Sequence, residues 1–194
     1  MSSGMKLLGR DEALRLLKTY LRNDRMIKHC IAVEAIMRAL ARKLGENEEL
    51  WGIVGLLHDI DYEVVGKDLS RHGLVGAYEI LKDKLPQQAL EAIAAHNELT
   101  GVKPTTPEAE KILHALRASD HMSGLIIATA LVMPSKKLAE VKPKSVKKKF
   151  KSKDFARGVS RDRIREVEKL GISLSEFIEL SLNALKSIAG ELGL

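Results

Sequence analysis

The sequence predicts an all-α protein, and three observations carry that expectation. Apolar residues recur at helical spacing through most of the chain, and no alternating strand pattern interrupts them. Capping residues precede the apolar runs, and Gly or Pro follows several of them. The elements then fall in order. Asp11 is placed to cap a first helix lasting to about Leu21, and Asn23 or Asp24 a second that reaches Leu44 and stops at Gly45. A third spans about Glu48 to Asp59, a fourth about Ser70 to Lys84, and Pro86 suits the first turn of a fifth ending near His96 and Asn97. Thr106-Pro107 reads as a cap followed by proline at the first helical position, opening a sixth helix towards Met133, with Pro134 as its stop. Short helical pieces are expected in the Lys-rich stretch beyond. Ser173 to Glu176 fits a capping box for a last helix to about Leu192.

Composition bounds the class. The 194 residues, 45% hydrophobic and 30% charged, suit one compact globular body with a real core. We expect a core over residues 1–134 and a basic helical extension over 135–194 packed on it. No secretory signal is legible, and the second methionine of the opening MSSGM, Met5, could serve as a start. The longest apolar-rich stretch, GLIIATALVM (124–133), has about half of the ~20 residues a membrane span needs, so no membrane partner is expected. Cys30 is the only cysteine, which excludes an internal disulfide and favours a cytoplasmic protein.

Charge is unevenly placed. Nine Lys and one Arg between Ser135 and Arg157, against Glu140 and Asp154, give +8 in a chain whose total is +6. Such a segment could meet phosphates or RNA. With 4% aromatic residues there is little to stack bases upon, so nucleic acid is allowed but not favoured.

Polar residues placed on apolar helix faces carry the chemistry. His29 falls on the stripe of Met26, Val33, Ile36 and Leu40. Trp51 and Val54 lead at helical spacing to His58, Ala89 and Ile93 to His96, and Leu113 and Leu116 to Asp120. Asp59 follows Gly52 and Gly55, which would let another helix approach closely. The run GLLHDIDYE (55–63) thus ends an apolar helix on a histidine and acids. A buried carboxylate is costly unless a cation is beside it. Arg25 and Arg117 are the best-placed guanidinium partners, whereas one or two divalent ions would satisfy the whole set, with nitrogen and oxygen donors. His58, Asp59 and His96 also lie near helix C-termini, whose carbonyls favour a cation.

The order His29, then His58-Asp59, then Asp120 on successive helices resembles the HD superfamily of metal-dependent phosphohydrolases. RHGLVGAYEIL (71–81) and ALEAIAAHNE (89–98) add His72 and His96, similar to the extra histidines of its two-metal branches. The extension, with KPKSVKKKFKSKDFARGVSRDRI, is similar to that of a prokaryotic group of HD hydrolases of undefined substrate. The resemblance implies a helical bundle in which His29, His58, Asp59 and Asp120 bind a first ion, and Asp59 bridges to a second held by His72 and His96. It implies hydrolysis of a phosphate ester or anhydride of a small metabolite, with a nucleotide as the expected substrate, by a metal-activated hydroxide. Mn, Fe, Co, Ni, Mg and Zn are not distinguished, and a homo-oligomer is compatible with the reading.

There are departures. Where some branches carry Glu three residues after the HD aspartate, this chain has Tyr62, and the lysine of cyclic-dinucleotide phosphodiesterases is absent. Asp61 or Glu63 could protonate a leaving group or hold an outer water, and Arg25, Lys67 and Arg71 could bind substrate phosphate. Cys30 reads as a packing residue, while His114, Arg117 and His121 share another face of their helix. Two alternatives have other chemistry: a di-iron oxygenase on the same ligand set, and a non-catalytic RNA-binding or regulatory module.

Overall fold

Helices carry the chain throughout the computed structural model, which describes residues 6–194, and no strand occurs among them. The alternative start at Met5 lies outside the described residues. The α-helices are α1 (Arg10–Tyr20), α2 (Asp24–Leu44), α3 (Glu48–Leu57), the single turn α4 (Tyr62–Val65), α5 (Gln87–His96), α6 (Pro107–Leu131), α7 (Pro143–Lys151), α8 (Arg161–Arg165), α9 (Leu174–Ser187) and α10 (Ala189–Leu192). Local chemistry sets many of these bounds. Asn23 Oδ1 accepts from the Met26 N–H at 3.2 Å, Thr106 Oγ1 from Ala109 at 3.1 Å ahead of Pro107, and Ser173 Oγ from Glu176 at 3.2 Å. Each such cap stabilises its helix by about 1 kcal/mol. Asp11 is not a cap: Gly9 takes that position, and Asp11 lies in the first turn, where the helix dipole favours an acid. The last predicted helix is broken at Ile188 into α9 and α10.

α2 is the central helix. It packs on α3, α6 and α9, burying Val33, Ile36, Met37 and Leu40 completely. Burial of each such side chain contributes on the order of 1.5–3 kcal/mol. α3 approaches α2 so closely that a Cβ on Gly55 would sit 3.0 Å from the backbone of Glu34. The extension beyond Pro134 joins the same apolar core: α7 packs on α6 and α9, and α8 on α6, through Val146, Phe150, Ile164 and Phe177. No helix of the described residues is long and apolar enough to cross a membrane.

One predicted element forms only in part, with helical backbone over 74–80. In place of a helix from Ser70 to Lys84 there is a 3-10 turn (Leu69–Arg71), a kink at Gly73 and a π-helical turn (Gly76–Ile80). The cause is the buried carboxylate of Asp61, whose Oδ2 accepts from the N–H groups of Gly73 and Gly76, each at 2.7 Å. Gly73 has φ of 93°, and a Cβ there would also meet the Ile93 carbonyl at 2.9 Å, so the loop closes on α5 only with glycine. π-turns of this kind gather at functional sites.

Candidate metal centre

Five segments deliver six side chains to one place. His29 comes from the second turn of α2, His58 and Asp59 from the end of α3, and His72 from the loop folded around Asp61. His96 is the last residue of α5, and Asp120 lies midway along α6. Asp59 is the centre. Its Oδ2 is 3.5 Å from His29 Nε2 and 3.2 Å from His58 Nε2, while its Oδ1 is 3.1 Å from His72 Nε2 and 3.4 Å from His96 Nε2. Asp120 Oδ1 closes the first group, 3.0 Å from His29 Nε2 and 4.0 Å from His58 Nε2. The donor atoms of His29, His58 and Asp120 all lie within 4.8 Å of one another, as do those of Asp59, His72 and His96.

The far side of three of the four rings is held in turn. His58 Nδ1 donates to the Gly55 carbonyl at 2.7 Å and His96 Nδ1 to the Ile93 carbonyl at 2.5 Å. His72 Nδ1 donates to Asp61 Oδ1 at 2.7 Å. A proton fixed at Nδ1 leaves the Nε2 lone pair facing inward, the arrangement that metal-ligating histidines use. His58 Nε2 is buried and forms no hydrogen bond, although Asp59 is near it. Two electron-rich atoms facing a shared third point, with no hydrogen bond between them, fit a cation as the missing partner. The nitrogen and oxygen donors fit a divalent ion of borderline softness.

Electrostatics agree. Burial opposes a charged imidazole at His29, yet Asp120 and Asp59 outweigh it and raise its pKa to about 10. At His72 burial is likewise outweighed by Asp59 and Asp61, again to about 10. Burial also opposes ionisation of Asp59, but His58, His29 and His72 hold it well below the usual carboxylate range. Asp120 is held at about 2 by His29 and His58 against its own burial. Without metal, protons on the imidazoles balance the two carboxylates; a divalent ion supplies the same charge.

The remaining predicted residues divide. Asp61 is fully buried and its three hydrogen bonds turn it towards His72, Gly73 and Gly76, so it positions His72 and is not placed as a leaving-group acid. Glu63 Oε1 accepts from the backbone N–H groups of Arg22 (3.0 Å) and Asn23 (2.8 Å), tying α4 to the start of α2. Arg25 lines a cleft of about 540 Å³ beside His29, with Lys28 on the same wall and Ile127 and Leu131 opposite. Lys67 and Arg71 are exposed, and Arg71 pairs with Glu79 at 3.6 Å. Cys30 is buried beside His58 and Asp59; burial, then the Asp59 charge, push its thiol well up, which keeps it protonated. Tyr62 is exposed and sets its ring edge against His72, 5.5 Å between centroids.

Two supporting residues, Asn97 and Ser123, escaped the sequence reading, and a third, Arg117, reaches backbone and Glu166 rather than the Asp59 or Asp120 carboxylate for which it was a candidate. Asn97 Nδ2 donates to the carbonyls of Leu69 (2.7 Å) and His72 (2.9 Å), pinning the loop to the end of α5. Arg117 Nη2 donates to the Ala95 carbonyl at 2.6 Å, beside His96. Ser123 Oγ stands 3.5 Å from His29 Nδ1 and donates to the Asp120 carbonyl at 2.7 Å. Adjacency to a predicted ligand in sequence or by one helical turn was the only signal available for Asn97 and Ser123.

Comparison with known proteins points the same way. Residues 26–120 match the family model described as HD domain. A relative named Ribonuclease Y, from Acholeplasma laidlawii, is 36% identical over 97 residues, 48% of this chain and 17% of that protein. Ribonuclease Y of Enterococcus faecalis is 35% identical over 120 residues (58% and 21%), and Ribonuclease Y 2 of Levilactobacillus brevis 36% over 124 (62% and 20%). The chain thus spans about a fifth of the length of these relatives. No solved structure matches at comparable significance. The stretch that opens near His29 and closes on Asp120 matches the HD domain, consistent with the HD superfamily.

Proposed function

We propose that this chain is a metal-dependent phosphohydrolase that holds two divalent ions and cleaves a phosphodiester of a ribonucleotide chain. The observation that carries the reading is the division of Asp59: one oxygen faces His29, His58 and Asp120, the other His72 and His96. His29, His58, Asp59 and Asp120 would hold the first ion, and Asp59, His72 and His96 the second. Four imidazoles against two carboxylates favour a transition ion over magnesium. Bound ions supply a water of lowered pKa and neutralise charge on phosphoryl oxygens. The chain's own part is orientation: Gly55, Ile93 and Asp61 keep the Nδ1 protons outward, and burial of Asp59 excludes bulk water.

The relatives' name moves the expected substrate from a small nucleotide towards RNA, and nothing in the comparisons favours oxygen chemistry. The cleft beside His29 supports a nucleotide unit, with Arg25 for phosphate and Ile127 and Leu131 for an apolar face; Lys28 on the same wall is paired with Asp24 at 3.1 Å. The test is chelator-stripped protein reloaded with Mn, Fe, Co, Ni, Zn or Mg and offered single-stranded RNA, dinucleotides and mononucleotides. Hydrolysis restored by a transition ion and lost in Asp59→Asn is expected. No hydrolysis with any ion, or turnover that consumes oxygen, would overturn the reading.

A further inference from the structure

The lysines of the extension differ from the other lysines in their clustering. None of the nine between Lys136 and Lys153 has a carboxylate oxygen within 4.0 Å, among the described residues, and unlike the scattered unpaired lysines elsewhere, such as Lys6, Lys18 and Lys67, these nine fall within eighteen residues; Lys28, Lys43 and Lys111 do pair with a carboxylate. They are also sorted by direction. α7 buries Val146 and Phe150, and on its outer face Lys144, Lys148 and Lys151 recur at i, i+4 and i+7, all exposed. The stripe runs on into a cleft of about 410 Å³ lined by Lys151, Lys153, Arg157, Arg161 and Arg165 against the single acid Asp162.

The loop behind this cleft is built, not loose. The Arg161 guanidinium, through Nε, Nη1 and Nη2, donates to six backbone carbonyls: Lys149 (3.1 Å), Phe150 (3.2 Å), Ser152 (2.9 Å), Phe155 (2.5 Å), Ala156 (2.9 Å) and Val159 (2.9 Å). Oxygens that would repel an anion are thereby turned inward around one cation, and the outer side carries Lys151, Lys153 and Arg157 with one acid, Asp154, paired to Arg157 at 3.3 Å. The loop's far end is fastened beside the metal centre. The Ser160 N–H donates to His121 Nδ1 at 3.1 Å, next to Asp120, and Val159 packs on Gly124, which also lines the cleft beside His29.

We propose that the outer face of α7 and the 151–161 loop form a docking surface for the phosphate backbone of single-stranded RNA, leading the strand towards the metal centre. The strip lies outside the matched HD segment. Its length favours a polymer over a mononucleotide: the nine helical residues alone span about 13 Å, and the exposed Lys144, Lys148, Lys151 and Lys153 spread four cationic groups along and just beyond them, more than one phosphate can use. Few aromatic groups are exposed there, so binding follows charge and not base identity. The proposal rests on the phosphohydrolase reading for the fate of the strand, and not for its binding.

The test uses the full chain in chelator, where no turnover occurs, and a fluorescein-labelled single-stranded 20-nucleotide RNA read by anisotropy. About four contacts give a slope of about −3 for log affinity against log salt, which is roughly a 60-fold loss between 50 and 200 mM. K144Q/K148Q/K151Q/K153Q is expected to flatten most of that slope and to weaken binding at 50 mM salt tenfold or more. K6Q/K18Q/K82Q/K84Q removes the same charge elsewhere and is expected to keep the slope; melting temperatures check that both fold. Absent or salt-independent binding, equal weakening by the two variants, or capture by phosphatidylserine vesicles without RNA binding would overturn the proposal. RNA that binds in this way yet is cut with no ion would leave this inference standing and remove the phosphohydrolase reading.

Discussion

Asp61 offers a sharp perturbation, because two substitutions separate its structural work from its work on His72. In Asp61→Asn the amide oxygen can still accept from Gly73 and Gly76, whose N–H groups stand at 2.7 Å. The amide NH2 then faces His72 Nδ1, in place of the carboxylate oxygen 2.7 Å away. A donor there makes Nδ1 an acceptor and puts the ring proton on Nε2, the atom that faces Asp59. Loss of such a supporting partner typically weakens metal binding by about 10–100-fold, or about 1.4–2.8 kcal/mol. Asp61→Ala goes further and leaves two buried N–H groups without acceptors, each costing about 1–3 kcal/mol. Titration calorimetry of metal-free protein with Mn or Co should show one ion bound as before and a second weakened in Asp61→Asn, with melting little changed. Asp61→Ala should lower the melting temperature as well. Two ions bound at unchanged affinity in Asp61→Asn would refute the assignment of Asp61 as the group that sets the His72 tautomer.

Further outcomes follow from the same geometry. His29 and His72 have pKa values raised from 6.5 to about 10 without metal, so ion binding at pH 7.5 should expel protons; calorimetry in two buffers of different ionisation enthalpy reads their number. Raised folded-state values stabilise the metal-free protein fully below about pH 6.5 and are lost as pH rises through about 10, so its melting temperature should fall across that window. Gly55→Ala drives a Cβ to 3.0 Å from the Glu34 backbone, and urea unfolding should show about 1–3 kcal/mol lost. Arg161→Met releases six carbonyls, and limited trypsin digestion should then cut between Lys151 and Arg157 much faster than in the parent protein.

Much of this architecture was legible because it is written at helical period. The stripes ending on His29, His58, His96 and Asp120 did place those side chains inward, since a helix face is fixed by local spacing alone. Gly52 and Gly55 read correctly as a close-approach surface for the same reason. What escaped is what distant contacts decide. The stretch from Ser70 to Lys84 has helical composition, yet the buried Asp61 carboxylate captures the N–H groups of Gly73 and Gly76 and bends the chain around itself. Glu63 looked like an acid beside the site, but its carboxylate meets backbone 40 and 41 positions earlier, which no local pattern records. Asn97 and Arg117 act through carbonyls of other segments, equally invisible to periodicity. The lysine run was plain as charge, whereas its sorting to one face depended on how Val146 and Phe150 found the core.

The central claim is that Asp59 joins two metal sites through its two oxygens. Anomalous diffraction from crystals of the protein loaded with manganese or cobalt tests it most directly. The account expects one peak among His29, His58, Asp120 and Asp59 Oδ2, and a second among His72, His96 and Asp59 Oδ1. Density for Asp59 hydrogen-bonded to protonated imidazoles, with no peak at either position under saturating metal, would contradict it.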